Sequence, residues 1–205
     1  MTPEKPILEW QHIFLDTSFI IDYLIDVNRI TKNPEYKERL EITHKVMGIL
    51  NAKNNSGDIK RRNYYVSAIT VSELRKLNSN ESISKKIVNL FDAADVIFVD
   101  YTKDIANLTH RMLEESLPTG QKHQFIAYLE KELKVKNFAN ARQWVSDDLK
   151  IISSAKSVKN LDVVLTSDKN TFQLIAKQLE VPCISMYKDQ FVFDLFGEIS
   201  ILKTK

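Results

Sequence analysis

Glycine and cysteine are both scarce in this 205-residue chain, which holds four glycines and one cysteine. With so few glycines, the sequence contains no Gly-rich phosphate loop and no dinucleotide-binding fingerprint. Cys183 cannot form an internal disulfide, and the four histidines show no paired ligand spacing, so a zinc site is disfavoured. A single cysteine suits a reducing compartment, and we expect a cytoplasmic protein in which Cys183 is a core residue.

Long apolar runs and a strong charge imbalance are also missing. No run approaches the roughly 18 residues of a membrane span, and the N-terminus shows no signal-peptide pattern, so we expect no membrane partner. The formal charge of +2 permits nucleic acid as a partner without requiring it. Hydrophobic residues make up 43% of the chain, and the length fits one sizeable domain over 1–205.

Short apolar runs alternate with amphipathic helical segments along the chain. The runs that we predict to be strands lie at 12–16, 64–67, 96–99, 163–166 and 181–185. This alternation, with its short connections, predicts an α/β fold with a parallel sheet sandwiched by helices. The tail from 187 to 205 could form an edge strand, a helix on the core or a dimer contact.

The first predicted strand ends in an acid followed by two hydroxyl residues. Residues 13–15 (Ile-Phe-Leu) are typical of a strand covered on both faces. Asp16 then lies at the carboxyl end of this strand, and open α/β sheets bind ligands at that edge. A helix cap is the alternative, because Thr17 or Ser18 can begin the helix that follows.

Two further acids occupy comparable positions. Asp168 follows the predicted strand 163–166, and parallel strands would place it at the same edge as Asp16. Glu73 follows the strand 64–67, on a helical face that it shares with Ile69 and Leu77. A turn at Asp168 and a surface charge at Glu73 are the structural alternatives.

A fourth acid, Asp148, interrupts an apolar stripe on the predicted helix 138–158. Buried charges are rare unless they are paired or bound to metal. Lys150 lies off this stripe, and Asp147 points about 100° away and is interpreted as a solvated neighbour. The stripe itself consists of Trp144, Asp148, Ile151, Ile152, Ala155 and Val158.

If the four acids converge, they repel one another. Two such charges about 4 Å apart cost roughly 4 kcal/mol at an effective dielectric near 20. Protonation or a cation must neutralise them, and an all-oxygen site suits Mg²⁺ or Mn²⁺. Four separate structural roles are the alternative at this point.

Four segments resemble the signatures of the PIN-domain family of metal-dependent nucleases. They are 15–18 (Leu-Asp-Thr-Ser), 67–74, the Asp-x-x-Ile-x-x-x-Ala helix at 148–155, and 164–169. Their order and the elements that carry them also match, and the resemblance covers about 12–100 and 140–185.

The resemblance implies Mg²⁺- or Mn²⁺-dependent cleavage of phosphodiester bonds, usually in RNA. The catalytic acids would hold one or two ions, directly or through water, and are Asp16, Glu73, Asp148 and Asp168. Thr17, Ser18 and Thr166 would orient these carboxylates, although capping is an equally good role for them. Some relatives carry a further Asp where this chain has Asn170, which could still orient a metal-bound water, but with less charge.

Many bacterial proteins similar to this chain are VapC-like toxins, often dimeric and held inactive by an antitoxin. RNA, an antitoxin and a second copy are therefore the partners that the resemblance suggests. The chain is longer than the compact toxins, and the additional residues lie at about 28–62 and 118–140. We predict one PIN-like domain with a helical insertion at about 118–140, a departure that weakens the toxin role more than the chemistry.

Substrate contacts are expected at the basic run Lys60, Arg61 and Arg62, for which a solvated loop is the alternative.

Three rival classes of protein match the sequence less well. A non-catalytic PIN-like domain would bind RNA or protein and would not require all four acids. A haloacid-dehalogenase-type phosphohydrolase needs a second Asp where this chain has Ser18. A receiver domain needs an acidic pair close to the first strand.

Overall fold

The computed structural model describes residues 2–29, 33–52, 62–76, 81–93, 96–115, 119–131, 138–193 and 199–202. Five parallel strands form one sheet within these ranges. This confirms the predicted parallel α/β sheet. The strands are β1 (His12–Leu15), β2 (Asn63–Ser67), β3 (Ile97–Val99), β4 (Val163–Thr166) and β5 (Cys183–Ser185).

Helices connect the strands, and none in the described ranges is both long and apolar enough to span a membrane. They are α1 (Thr17–Leu24), α2 (Pro34–Asn51), α3 (Ala68–Lys76), α4 (Glu81–Ala93), α5 (Lys103–Glu115), α6 (Thr119–Lys131), α7 (Phe138–Lys156) and α8 (Phe172–Gln178). Three short 3₁₀ turns lie at Ile7–Glu9, Val27–Arg29 and Lys188–Gln190. The tail forms an antiparallel pair, β6 (Phe191–Phe193) with β7 (Ile199–Ile201), separate from the main sheet.

The strand order is β3-β2-β1-β4-β5, so the direction of winding reverses between β1 and β4. Leu15 of β1 lies in register with Leu165 of β4. The amide of Asp16 donates to the Leu165 carbonyl at 3.0 Å, which ties the carboxyl ends of the two strands together. Open α/β sheets leave a ligand-binding crevice at such a reversal.

Alternating strand residues supply two hydrophobic cores, one on each face of the sheet. Ile13 and Leu15 pack with α1, α2, α3 and α4 on one face. Phe14, between them in sequence, packs with α5, α6, α7 and α8 on the other. Cys183 is buried in this second core, as predicted. The result is a three-layer arrangement in which both faces of the sheet are covered.

Helix α7 returns the chain to the amino edge of the sheet before β4 begins, so it runs antiparallel to the strands. Helices α5 and α6 pack against α7, and Ile126 of α6 is buried there. Helix α6 lies within the predicted insertion at 118–140. The division of the chain into a domain and an insertion stays a prediction.

Arg62 is a structural residue, which corrects the expectation that it contacts phosphates. It is 8% exposed and precedes β2, at the edge of the sheet opposite to the candidate acids. Its guanidinium donates to the backbone carbonyls of Trp10 and Leu50. A side chain enclosed in this way cannot reach a nucleic acid at the carboxyl edge. Lys60 and Arg61 lie outside the described residues.

A buried ion pair joins α1 to α2, and local sequence gave no sign of it. Arg39 donates to Asp22 through Nε at 2.7 Å and through Nη2 at 3.2 Å. The same guanidinium donates to the Tyr187 hydroxyl at 2.9 Å. Asp22 is 2% exposed, so its charge is met by a base within the protein.

Candidate active site

Asp16 lies at the point where the winding of the sheet reverses, and it caps the N-terminus of α1. It is only 4% exposed. Its Oδ2 accepts hydrogen bonds from the Ser18 hydroxyl at 2.5 Å, from the Ser18 amide at 3.3 Å and from the Thr166 hydroxyl at 2.8 Å. Oδ1 receives none of these three bonds, and the amide of Thr17 also bonds to the carboxylate.

A network of hydroxyl groups joins the ends of β1 and β4. The Ser18 and Thr166 hydroxyls lie 3.1 Å apart. The amide of Asp168 donates to Thr166 Oγ1 at 3.0 Å, and the amide of Ser167 donates to Ser18 Oγ at 2.8 Å. Side-chain rotation at either strand end is thereby restricted, which holds the Asp16 carboxylate in one orientation.

The carboxylate of Asp168 closes the turn that leads into α8. Its Oδ1 accepts from the amides of Asn170 and Thr171, both at 2.9 Å, and its Oδ2 accepts from the Thr171 hydroxyl. Asn170 is exposed and contributes its backbone to this turn. Asp168 therefore does have the turn-forming role that was its structural alternative, while lying two residues beyond β4.

Glu73 is brought to the same edge by α3. The Thr17 hydroxyl at the start of α1 donates to Glu73 Oε2. Thr17, Ser18 and Thr166 thus each bond to one of the predicted acids, the first to Glu73 and the other two to Asp16.

Asp148, on α7, differs from the other acids because it accepts no hydrogen bond and forms no ion pair within the described part of the chain. Its neighbour Asp147 is paired instead, with Lys150 Nζ at 2.8 Å and with the side-chain amide of Gln143. Asp148 is mostly buried. Lys150, the nearest base among the described side chains of α7, is therefore paired with the adjacent carboxylate.

The four acids act on one another electrostatically. Burial raises the pKa of Asp148 well above its usual range, and the negative charges of Asp168, Asp16 and Glu73 raise it further. Burial also raises the pKa of Asp16 to about 6, against the opposing hydrogen bonds from Ser18 and Thr166. The charges of the other three acids therefore act on Asp148.

Two buried hydroxyl groups beside the acids lack hydrogen-bond partners among the described residues. They are Thr70 Oγ1, one turn before Glu73 on α3, and Ser167 Oγ, next to Asp168. Buried hydroxyls are normally satisfied by protein or by water. Sequence analysis did not single out either residue, because a Ser or Thr beside an acid is too common to be a signal.

The acids fit a divalent cation in donor chemistry and in charge, since hard cations prefer carboxylate oxygens and water. Within the described ranges, however, no three His, Cys, Asp or Glu side chains converge closely enough to enclose a metal ion. Binding of an ion by all four acids would thus use bridging water or movement of side chains.

The predicted apolar stripe of α7 is buried only from Asp148 onward. Ile151, Ile152 and Ala155 are at most 1% exposed, whereas Trp144 is 51% exposed. The prediction that Trp144 belongs to the buried stripe is therefore wrong. Helical spacing fixes the direction in which a side chain points, but not how far the neighbouring layer extends along the helix.

Replacing Thr166 by valine is expected to weaken Mn²⁺ binding about 10–100-fold, the usual effect of removing a group that orients a metal ligand. Valine keeps the shape of threonine but cannot donate to Asp16. Isothermal titration with Mn²⁺ measures the change. Ser185→Ala is the matched control, because Ser185 lies in register with Thr166 on β5 and bonds to Gln173 instead. Equal Mn²⁺ affinity in Thr166→Val and wild type would contradict the orienting role.

No family model matches this chain, and no curated protein does. Among solved structures, it is similar to a chain in the crystal structure of VapBC2 from Rickettsia felis bound to a DNA fragment from their promoter. The two chains are 14% identical, with a TM-score of 0.40, and the match covers 85% of this chain and 98% of that chain. The family resemblance of this chain accordingly rests on its four sequence motifs.

Proposed function

We propose that this protein is a Mg²⁺- or Mn²⁺-dependent endonuclease that hydrolyses phosphodiester bonds, with RNA as its substrate. The observation that supports this most is the group of four acids at the winding reversal, in which Asp148 has no countercharge among the described residues. A cation there would offset the negative charges that raise the pKa of Asp148.

The chain treats its other buried acids differently. Asp22 is paired with Arg39, and Asp162 is paired with Lys5 and accepts the amides of Gln11 and His12. The Lys5 contact and those amides lower the pKa of Asp162 against the effect of burial. Structural acids of this protein thus have bases as partners. Asp148 has none in the same described ranges, which favours a role in binding a cation.

In the proposed mechanism, Asp16, Glu73, Asp148 and Asp168 hold the ions. Bound Mg²⁺ or Mn²⁺ lowers the pKa of water and stabilises negative charge on the phosphate. Thr17 fixes the orientation of Glu73, while Ser18 and Thr166 fix that of Asp16. A carboxylate of the group accepts a proton as water attacks phosphorus. The bond from phosphorus to the 3′-oxygen then breaks, and this oxygen takes a proton from solvent water, which leaves a 3′-hydroxyl on one product and a 5′-phosphate on the other.

The biological setting is proposed from the resemblance alone. A cytoplasmic toxin, kept inactive by an antitoxin partner and present as a homodimer, is the setting that the resemblance suggests. A small partner gene beside the reading frame of this protein would support it.

The proposal is tested by incubating the purified protein with single-stranded RNA and Mn²⁺ or Mg²⁺. We expect cleavage that chelation by EDTA abolishes and excess Mn²⁺ restores, because the acids need a bound cation to work. Product ends should be 3′-hydroxyl and 5′-phosphate. A DNA oligonucleotide of the same sequence serves as the comparison for the choice of RNA. Cleavage that survives EDTA, or that yields 2′,3′-cyclic phosphates, would show that the mechanism is wrong.

The alternative is a non-catalytic domain that binds RNA or protein. Both Asp168 oxygens accept hydrogen bonds within its own turn, and this structural role favours the alternative. Binding of RNA without cleavage in the presence of Mn²⁺ would decide for it.

A further inference from the structure

Trp144 is exposed to solvent, and it lies close to a candidate catalytic acid on α7. Isolated apolar side chains on a surface are common and need no ligand. Trp144, however, lies four residues before Asp148 on α7, and residues at this spacing share one side of a helix. An aromatic ring and a candidate catalytic acid are therefore neighbours on one helical face.

The direction of α7 places Trp144 on the open side of the acids. Helix α7 runs from the carboxyl edge of the sheet toward the amino edge, and its Ser154 hydroxyl lies 3.4 Å from that of Ser67, the last residue of β2. Asp148 precedes Ser154 on α7 and therefore lies beyond the strand ends, at the carboxyl edge where the other acids lie. Four residues earlier in an α-helix correspond to about 6 Å along its axis. Trp144 thus lies beyond the carboxylates, on the side from which a substrate must approach.

The negative charge of the four acids limits which side chains can bind a nucleic acid there. Carboxylates repel phosphates, and a cation compensates only locally. Lys150, the nearest described base on α7, is already paired with Asp147. Stacking of a base on an aromatic ring is independent of net charge and accepts every nucleobase. Indole is the largest stacking surface that a side chain can offer in this position.

We propose that Trp144 stacks against a nucleobase of single-stranded RNA and so positions the strand over the four-acid site. This inference rests on the proposed function and adds to it a substrate-binding residue and a preference for unpaired bases. Duplex RNA has no free base faces, and it would not use this contact.

Tryptophan fluorescence reports on this contact directly, because the chain has two tryptophans in opposite environments. Trp10 is 0% exposed and Trp144 is 51% exposed. In an Asp16→Asn background, which prevents cutting, titration with single-stranded RNA in Mg²⁺ should quench the emission of Trp144. Trp144→Phe retains only Trp10, and its emission should not respond to the RNA.

Affinity is measured separately, by fluorescence anisotropy of a labelled RNA in the same background. We expect Trp144→Ala to weaken binding about tenfold, within the range found for loss of one stacked base, and Trp144→Phe to stay within about threefold of the parent. The matched control is Leu8→Ala, which removes a 63% exposed apolar side chain at the amino edge of the sheet. An RNA with an abasic site at the stacked position should bind parent and Trp144→Ala equally.

Each outcome separates the two proposals. If Trp144→Ala binds intact RNA as tightly as its parent, the stacking role is overturned while the nuclease proposal stands. The stacking role is also overturned if Trp144→Ala weakens binding of abasic RNA as much as binding of intact RNA. A pull-down in which a protein partner covers Trp144, with RNA affinity unchanged, also overturns it. Weaker RNA binding by Trp144→Ala, combined with no metal-dependent cleavage by wild type, supports stacking and contradicts the nuclease. Absence of RNA binding by the parent overturns both.

Discussion

Replacing Asp16 by asparagine is expected to lower metal-dependent RNA cleavage roughly 10³-fold, the scale of losing one preorganised electrostatic group from an active site. The amide oxygen of asparagine can still accept from Ser18 and Thr166, so the strand ends stay joined. The negative charge offered to the cation is lost. Initial rates in Mn²⁺ measure the effect, and circular dichroism and thermal melting establish that the variant is folded.

The matched control is Asp100→Asn. Asp100 also follows a parallel strand at the carboxyl edge, but β3 lies two strands away from β1 at the border of the sheet. Strands are spaced about 4.8 Å apart, so Asp100 is roughly 10 Å from the reversal. Its substitution should leave the cleavage rate within about twofold. Full activity in Asp16→Asn, or equal losses in both variants, would remove Asp16 from the catalytic group.

Asp148→Asn should have two opposite effects, losing cleavage on the scale of Asp16→Asn while stabilising the metal-free protein. The raised pKa of Asp148 means that its charged form is disfavoured in the fold. Asp148 therefore does not reduce the free energy of unfolding at low pH, where it is protonated. It reduces that free energy as the pH rises through the raised pKa. Asparagine cannot ionise, and near pH 8 it should add roughly 1–2 kcal/mol. That corresponds to a melting temperature about 2–8 °C higher.

Thermal melts across pH test this prediction. In EDTA, the variant and wild type should converge only as the pH falls below about 3.9, the pKa of an Asp in the unfolded chain, and diverge as the pH rises above it. Mn²⁺ should stabilise wild type far more than the variant. Asp147→Asn is the control, since Asp147 is already bonded to Lys150 and Gln143 and its removal should give no gain. If Asp148→Asn lowers the melting temperature at pH 8, the acid is part of the structural framework and not a cation ligand.

The sheet could be predicted from sequence because most of its strands are apolar runs, which parallel strands covered on both faces need. In β3 the run is less buried, since Ile97 and Phe98 are 42% and 49% exposed. The run at 163–166 is fully buried as β4, and the boundaries of β1 differ by one residue. The tail was not predictable. Residues 191–193 and 199–201 pair with each other and not with the sheet, a choice that depends on long-range packing.

The acids could be predicted because each lies at a strand end or interrupts an apolar face, which are local patterns. Their surroundings were not predictable in the same way. Arg39 meets Asp22 from another helix, and Arg62 turns inward to backbone carbonyls although it ends a basic run. Trp144 has the spacing of a core residue and is exposed. Each case depends on which segment, distant in sequence, packs against the residue. Residue spacing along the chain does not indicate which segment that is.

The bond between Thr166 and Asp16 closes a loop of 150 residues, and this has a consequence for folding. Strand β1 is synthesised before its partner β4, with the whole of this loop between them. At about 5–20 residues per second, a nascent chain spends roughly 8–30 s with one side of its central strand unpaired. The acid site cannot assemble during that time. A growing polypeptide therefore cannot hold the Asp16 carboxylate in its final orientation until Thr166 has been synthesised.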